Sequence, residues 1–98
     1  MPLNQAENLK QINFETVTVG ATAVSLTTAT LAGAVYAQVY VSDARIRYTC
    51  SGTPTASSGA PADIGDIIEI FEMSDITGFK AIREGSTSAK IDVLYFGR

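Results

Sequence analysis

"VYAQVYVSDARIRYTC", residues 35 to 50, decides the fold class. Val35, Ala37, Val39 and Val41 alternate with Tyr36, Gln38, Tyr40 and Ser42, the period of two of a strand with one face on a core. Ser42-Asp43-Ala44 turns the chain, and Ile46, Tyr48 and Cys50 then alternate with Arg45, Arg47 and Thr49. Short turn and alternating runs together predict a hairpin. Tyr36 and Tyr40 give the less apolar face flat bodies with polar tips, a surface that a neighbouring chain can half cover.

Upstream the same period holds from Ile12: Ile12, Phe14 and Thr16 share one side while Asn13, Glu15 and Val17 share the other. Val19 to Thr22 is a turn and Ala23 to Leu26 a short strand. Thr27 to Gly33 is ambiguous, its β-branched threonines favouring extended chain and Gly33 a turn. Residues 1–11 show no alternation and are set apart as an N-terminal arm, either frayed or docked on a neighbour through Leu3 and Leu9. Residues 12–98 form a single domain.

Downstream, Ser51 to Asp63 is a loop of Ser, Gly, Thr, Pro and Ala with one charge, Asp63. Pro54 and Pro61 stiffen it, and the reading is a contact pad crossing an end or edge of the fold. Asp66 to Glu72 (DIIEIFE) is a strand with Ile68 and Ile70 on one face and Ile67, Glu69 and Phe71 on the other. Such a strand is either buried on both faces or lies at a subunit contact. Met73 to Gly78 reads as one helical turn capped by Ser74 or Asp75 and stopped by Gly78. Phe79 to Glu84 and Ala89 to Phe96 are expected to close a last hairpin, with Ile91, Val93 and Tyr95 alternating against Lys90, Asp92, Leu94 and Phe96. About seven or eight short strands with turns every 8–12 residues define an all-β class, and a small antiparallel β-sandwich is preferred over a barrel.

The composition narrows the function. The chain has 98 residues, net charge −3 and no histidine. A pI of about 4.7 disfavours a phosphate backbone, so no nucleic acid is expected as a partner. Lack of histidine removes the usual proton shuttle and any Ser/His/Asp or Cys/His arrangement. No apolar run approaches the roughly 20 residues of a spanning helix, so no membrane is expected, and the polar start carries no secretory signal. A cytoplasmic site of synthesis follows. Cys50, the one cysteine, reads as a small half-buried hydrophobe.

Candidate chemistry is sparse. Asp63, Asp66, Glu69, Glu72 and Asp75 recur every three residues, which on a strand sends successive carboxylates to opposite faces, as on a solvated edge rather than around an ion. Arg45 and Arg47, with Lys80 and Arg83 nearby, either grip a carboxylate-rich partner or pair across strands with Glu69, Glu72 or Glu84. Gly52, Gly59, Gly65 and Gly85 lead into no Lys-Ser or Lys-Thr helix and make no phosphate loop. The expectation is a non-enzyme without cofactor or metal.

Arg47-Tyr48-Thr49, Ser51-Gly52-Thr53-Pro54-Thr55, Gly59, Gly65-Asp66 with its isoleucines, and the run Phe79 to Ala89 resemble a pattern in small virion proteins encoded among tailed-phage head genes. The resemblance spans roughly residues 14 to 96; the family pattern carries an acidic residue where Ser51 stands. It implies a small β-sandwich on the capsid surface of a virion assembled in the host cytoplasm. Such a decoration or cement protein binds and bridges major capsid protein subunits, often as a homotrimer. The contact residues expected are Leu3 and Leu9 in the arm, Pro54 and Pro61 in the pad, and Tyr36 and Tyr40 as anchors. A tail or fibre module binding host carbohydrate through Tyr40, Gln38 and Asp43 is the alternative, although the chain has no tryptophan to stack on a sugar.

Overall fold

The structure, a computed structural model, describes residues 9–98. Among the described residues eight strands form two four-stranded antiparallel sheets: β1 (Lys10–Val19), β2 (Val24–Ser25), β3 (Tyr36–Ser42), β4 (Ile46–Thr49), β5 (Ala60–Ala62), β6 (Ile67–Ile70), β7 (Lys80–Arg83) and β8 (Ala89–Gly97). Helix α1 (Thr28–Leu31) lies between β2 and β3, and α2 (Met73–Gly78) between β6 and β7. The first sheet has the order β1-β8-β3-β6 and the second β2-β7-β4-β5. The class is the small all-β sandwich that the alternation predicts. Neither described helix is long and apolar enough to cross a membrane.

Connectivity corrects the two expected hairpins. β3 and β4 belong to different sheets, as do β7 and β8. Ser42-Asp43-Ala44 is a corner between layers, with Asp43 at φ 73°, a left-handed conformation that aspartate tolerates better than most residues. Only β4 and β5 are both consecutive and hydrogen-bonded; the other six of the seven connections change sheets. Alternation fixes which side of a strand is apolar, but the same alternation serves a strand bonded to its predecessor and one lying opposite it.

The core sits between the layers. Val39, Ile91, Val93 and Tyr95 from the first sheet meet Ile46 and Ala81 from the second, with Phe79 leading into β7 and Leu31 and Ile76 closing in from the helices. Each is buried, and no buried side-chain nitrogen or oxygen among the described residues lacks a hydrogen-bond partner. Tyr48 stacks on Phe79 at 5.7 Å between ring centroids. Cys50, just past β4, is half-buried against this core. Burial first, and then the nearby Asp75 charge, push its thiol above the usual range.

β1 begins at Lys10, so the last two residues expected in the arm already pair with β8, Lys10 with Gly97 and Gln11 with Phe96. A bulge then intervenes before Asn13 pairs with Tyr95. It carries Ile12 toward Gly97 and leaves Phe14, paired with Leu94, on the outer face. Glu15, Val17 and Val19 face the core side with their partners Val93, Ile91 and Ala89. The inward carboxylate is a junction: Glu15 Oε2 accepts the Tyr95 hydroxyl at 2.5 Å and the Thr27 backbone N–H at 3.1 Å. Its Oε1 accepts the Thr27 hydroxyl at 2.6 Å.

The loop after β4 proves to be the tip of the β4–β5 hairpin. Thr55 and Ser58 exchange backbone bonds at 3.0 and 3.2 Å, and Gly59, at φ 110°, brings the chain back along Tyr48. A β-carbon at Gly59 would stand 3.0 Å from the Tyr48 carbonyl oxygen, so glycine is required for both space and dihedral. The expected caps of α2 also differ. Glu72 holds the N-cap position with no side-chain cap bond, and Gly78 lacks a positive φ. Gly78 is needed because a β-carbon there would overlap the Cys50 carbonyl oxygen.

Candidate interaction surface

Cross-strand register builds the outer face of the first sheet row by row. Phe14, Leu94, Gln38 and Glu69 form one row across β1, β8, β3 and β6. Thr16, Asp92, Tyr40 and Ile67 form the next. On the other side of the Phe14 row, Gln11, Phe96 and Tyr36 align, and Phe71 joins them with its ring centroid 5.2 Å from that of Tyr36. Phe96 lies 5.3 Å from Tyr36 on the opposite side. These contacts make an aromatic ridge across the sheet.

No described element covers this face. Phe71 is 68% exposed, Phe14 64% and Ile67 53%. Scattered single apolar residues on a surface need no explanation, but three of this size joined by Leu94, Phe96 and the tyrosine rings form a contiguous patch, the mark of an interaction site. The strand is not buried on both faces: Ile68 and Ile70 enter the core while Ile67 and Phe71 stand outside.

The polar tips on the face are tied to one another. Tyr40 donates its hydroxyl proton to Gln38 Oε1 at 3.0 Å, Gln38 Nε2 donates to the Tyr36 oxygen at 3.0 Å, and Tyr36 donates to Glu69 Oε2 at 2.5 Å. Burial among neighbouring side chains, and then the Glu69 carboxylate that accepts its proton, raise the Tyr36 hydroxyl above the usual tyrosine range. The chain of bonds holds both rings in place, which lowers the entropy lost when a partner covers them. It also engages Gln38 and Tyr40, two of the three groups assigned to a sugar, while Asp43 stands at the corner 4.0 Å from Lys90.

The expected contact residues separate. Tyr36 and Tyr40 come together on the face. Leu9 is half-buried immediately before β1, and Leu3 lies outside the described residues. Pro61 is exposed on β5, the edge of the second sheet, where its missing N–H is tolerated. Pro54 is buried against Gly59 and offers no surface to a partner. The sequence offered a subunit contact for the strand that carries Ile67 and Phe71 without naming either as a contact residue, and Phe14, Leu94 and Phe96, which share this face, were not among the expected contacts.

Arg45 and Arg47 are paired within the chain, whereas among the described residues no ion pair involves Lys80 or Arg83. Arg47 Nε lies 2.8 Å from Glu84 Oε2 and Arg45 Nη1 3.2 Å from Glu84 Oε1, which selects Glu84 among the three expected partners. Arg47 Nη1 also donates to the Gly59 carbonyl at 3.1 Å. The acidic series disperses: Asp63 reaches Arg45 at 3.9 Å, Asp66 accepts the Asp63 N–H at 2.7 Å, and Glu69 holds Tyr36. Among the described residues no group of three His, Cys, Asp or Glu side chains could hold a metal ion. Comparison with known proteins adds no family: no family model, curated protein or solved structure matches the chain.

Proposed function

We propose that this chain is a structural virion protein, a decoration or cement protein that seats the outer face of its first sheet on the capsid of a tailed phage and bridges major capsid subunits. The observation that carries the reading is the uncovered patch of Phe14, Ile67, Phe71, Leu94 and Phe96 around the tethered tyrosines. A protein of this kind works by adding contact area to a shell, which calls for rigid β-structure and an apolar face. The resemblance of residues 14–96 to small head proteins supplies the partner.

The test is occupancy on purified particles, measured by quantitative mass spectrometry. The double substitution Phe14→Ser, Phe71→Ser removes two rings whose full burial contributes about 1.5–3 kcal/mol each. Affinity for particles, read from occupancy at limiting protein, should fall by at least roughly 100-fold. Absence of the unsubstituted chain from particles overturns the proposal.

A further inference from the structure

We infer that the free edge of β1 is a strand-pairing surface and that its partner is β1 of a second copy of this chain, antiparallel across a twofold axis. The inference concerns self-association; its edge and charge arguments stand independently of capsid binding, and its area argument rests on that reading.

The four sheet edges differ in how they are protected. An edge strand presents an unpaired row of N–H and C=O groups, and proteins blunt such edges by shortness, proline, charge or bulges. β2 has two residues, β5 has three and contains Pro61, and β6 has four with Glu69 among them. β1 has ten residues, KQINFETVTV, without proline or glycine. Its bulge lies near one end, leaving Asn13 to Val19 in unbroken register with Tyr95 to Ala89. Among the described residues β1 pairs with β8 alone.

The first half of β1 is also bare on both faces. Ile12, toward Gly97, is 43% exposed and Phe14, on the outer face, 64%. Among the described residues this leaves a long, β-prone edge unprotected, with Ile12 and Phe14 exposed along it, unless a partner closes it.

Two features select a second copy. First, although the chain carries −3 overall, β1 holds one lysine, Lys10, and one acid, Glu15, so two identical strands meet without net repulsion. Antiparallel pairing across a twofold axis is self-complementary and closes the edge completely. Second, it corrects a shortage of area. Four strands about 4.8 Å apart, with side-chain rows about 7 Å apart, give an outer face on the order of 400–500 Å². A standard interface takes about 800 Å² from each partner. Joining two copies at β1 fuses their outer faces into one eight-stranded surface, with the two Phe14 rings near its centre.

Light scattering on the purified full-length chain should give twice its 10.3 kDa mass. Phe14→Lys with Thr16→Lys places like charges beside the axis, and the ammonium group introduced at position 16 would stand next to Asp92, where the fold accepts it. This variant should be monomeric with an unchanged far-UV spectrum. Mixing it with Phe14→Glu, which leaves Thr16 bonded to Asp92, should restore a dimer containing one of each, an outcome that loss of folding cannot produce. Ile67→Ser with Phe71→Ser, on the opposite edge, should remain dimeric. A monomer or trimer for the unsubstituted chain, or a monomer for the Ile67, Phe71 variant, overturns the inference. The two proposals fail separately: an unsubstituted chain that is monomeric yet found on particles sinks the pairing alone, and a dimeric chain absent from particles sinks the capsid reading alone.

Discussion

Replacing Glu15 with alanine removes the acceptor of three hydrogen bonds: the Tyr95 hydroxyl at 2.5 Å, the Thr27 hydroxyl at 2.6 Å and the Thr27 N–H at 3.1 Å. Hydrogen bonds to a charged group contribute about 1.5–3 kcal/mol each, but these share one carboxylate and do not add. Thr27 is exposed, so water replaces its lost partner. Tyr95 is 0% exposed, and its hydroxyl is left dry and unpaired at a cost of about 1–3 kcal/mol. The sum is about 2–4 kcal/mol, which for a domain of this size lowers Tm by roughly 10–25 °C. Urea unfolding at fixed protein concentration measures it. In a double-mutant cycle Tyr95→Phe should relieve part of the loss, because the orphaned hydroxyl disappears, with a coupling of about 1–2 kcal/mol. A Glu15→Ala loss below about 0.5 kcal/mol, or strictly additive substitutions, would refute the reasoning.

Other expectations follow from single contacts. Gly59→Ala forces φ 110° on alanine and sets its β-carbon 3.0 Å from the Tyr48 carbonyl, so it should cost about 2–3 kcal/mol in urea unfolding; Gly85→Ala meets open space and should stay within about 0.5 kcal/mol. Glu84→Ala unties both Arg45 and Arg47 and should cost about 1 kcal/mol, less in 1 M salt. The Tyr95 hydroxyl is raised far above the ordinary range, by burial first and then by its bond to Glu15. The unfolded chain therefore releases this proton near pH 10 while the folded chain retains it. The stability it contributes is complete below about pH 10 and is lost as pH rises from there toward the folded value. Absorbance titration should show a tyrosine ionising only with unfolding, and Tyr95→Phe should abolish that phase.

Much of this architecture is written in alternation. Val35 to Ser42 and Ala89 to Phe96 carry the period of two that places Val39, Ile91, Val93 and Tyr95 in the core. The pairing of strands is not written there, because Ser42-Asp43-Ala44 can close a hairpin or carry the chain to the other layer. β5 escaped notice since Ala60-Pro61-Ala62 has no strand preference of its own and is held by pairing with Ile46 to Tyr48. The bulge after Gln11 has no local marker, yet it decides that Phe14 faces outward and Glu15 inward. Of the expected contact residues, Tyr36 and Tyr40 share the outer face that their alternation on β3 indicates. Pro54 misled because a proline in a Gly-Thr-Pro-Thr loop reads as surface, whereas packing against Gly59 draws it inside.

The proposed contact face is tested most directly by hydroxyl-radical footprinting of the chain free and on purified particles, read by mass spectrometry at each residue. The account predicts strong protection of Phe14, Ile67 and Phe71 on the particle, with Pro61 on the opposite sheet labelled as in the free chain. Equal labelling of Ile67 and Phe71 in both states, or protection confined to the second sheet, would contradict it.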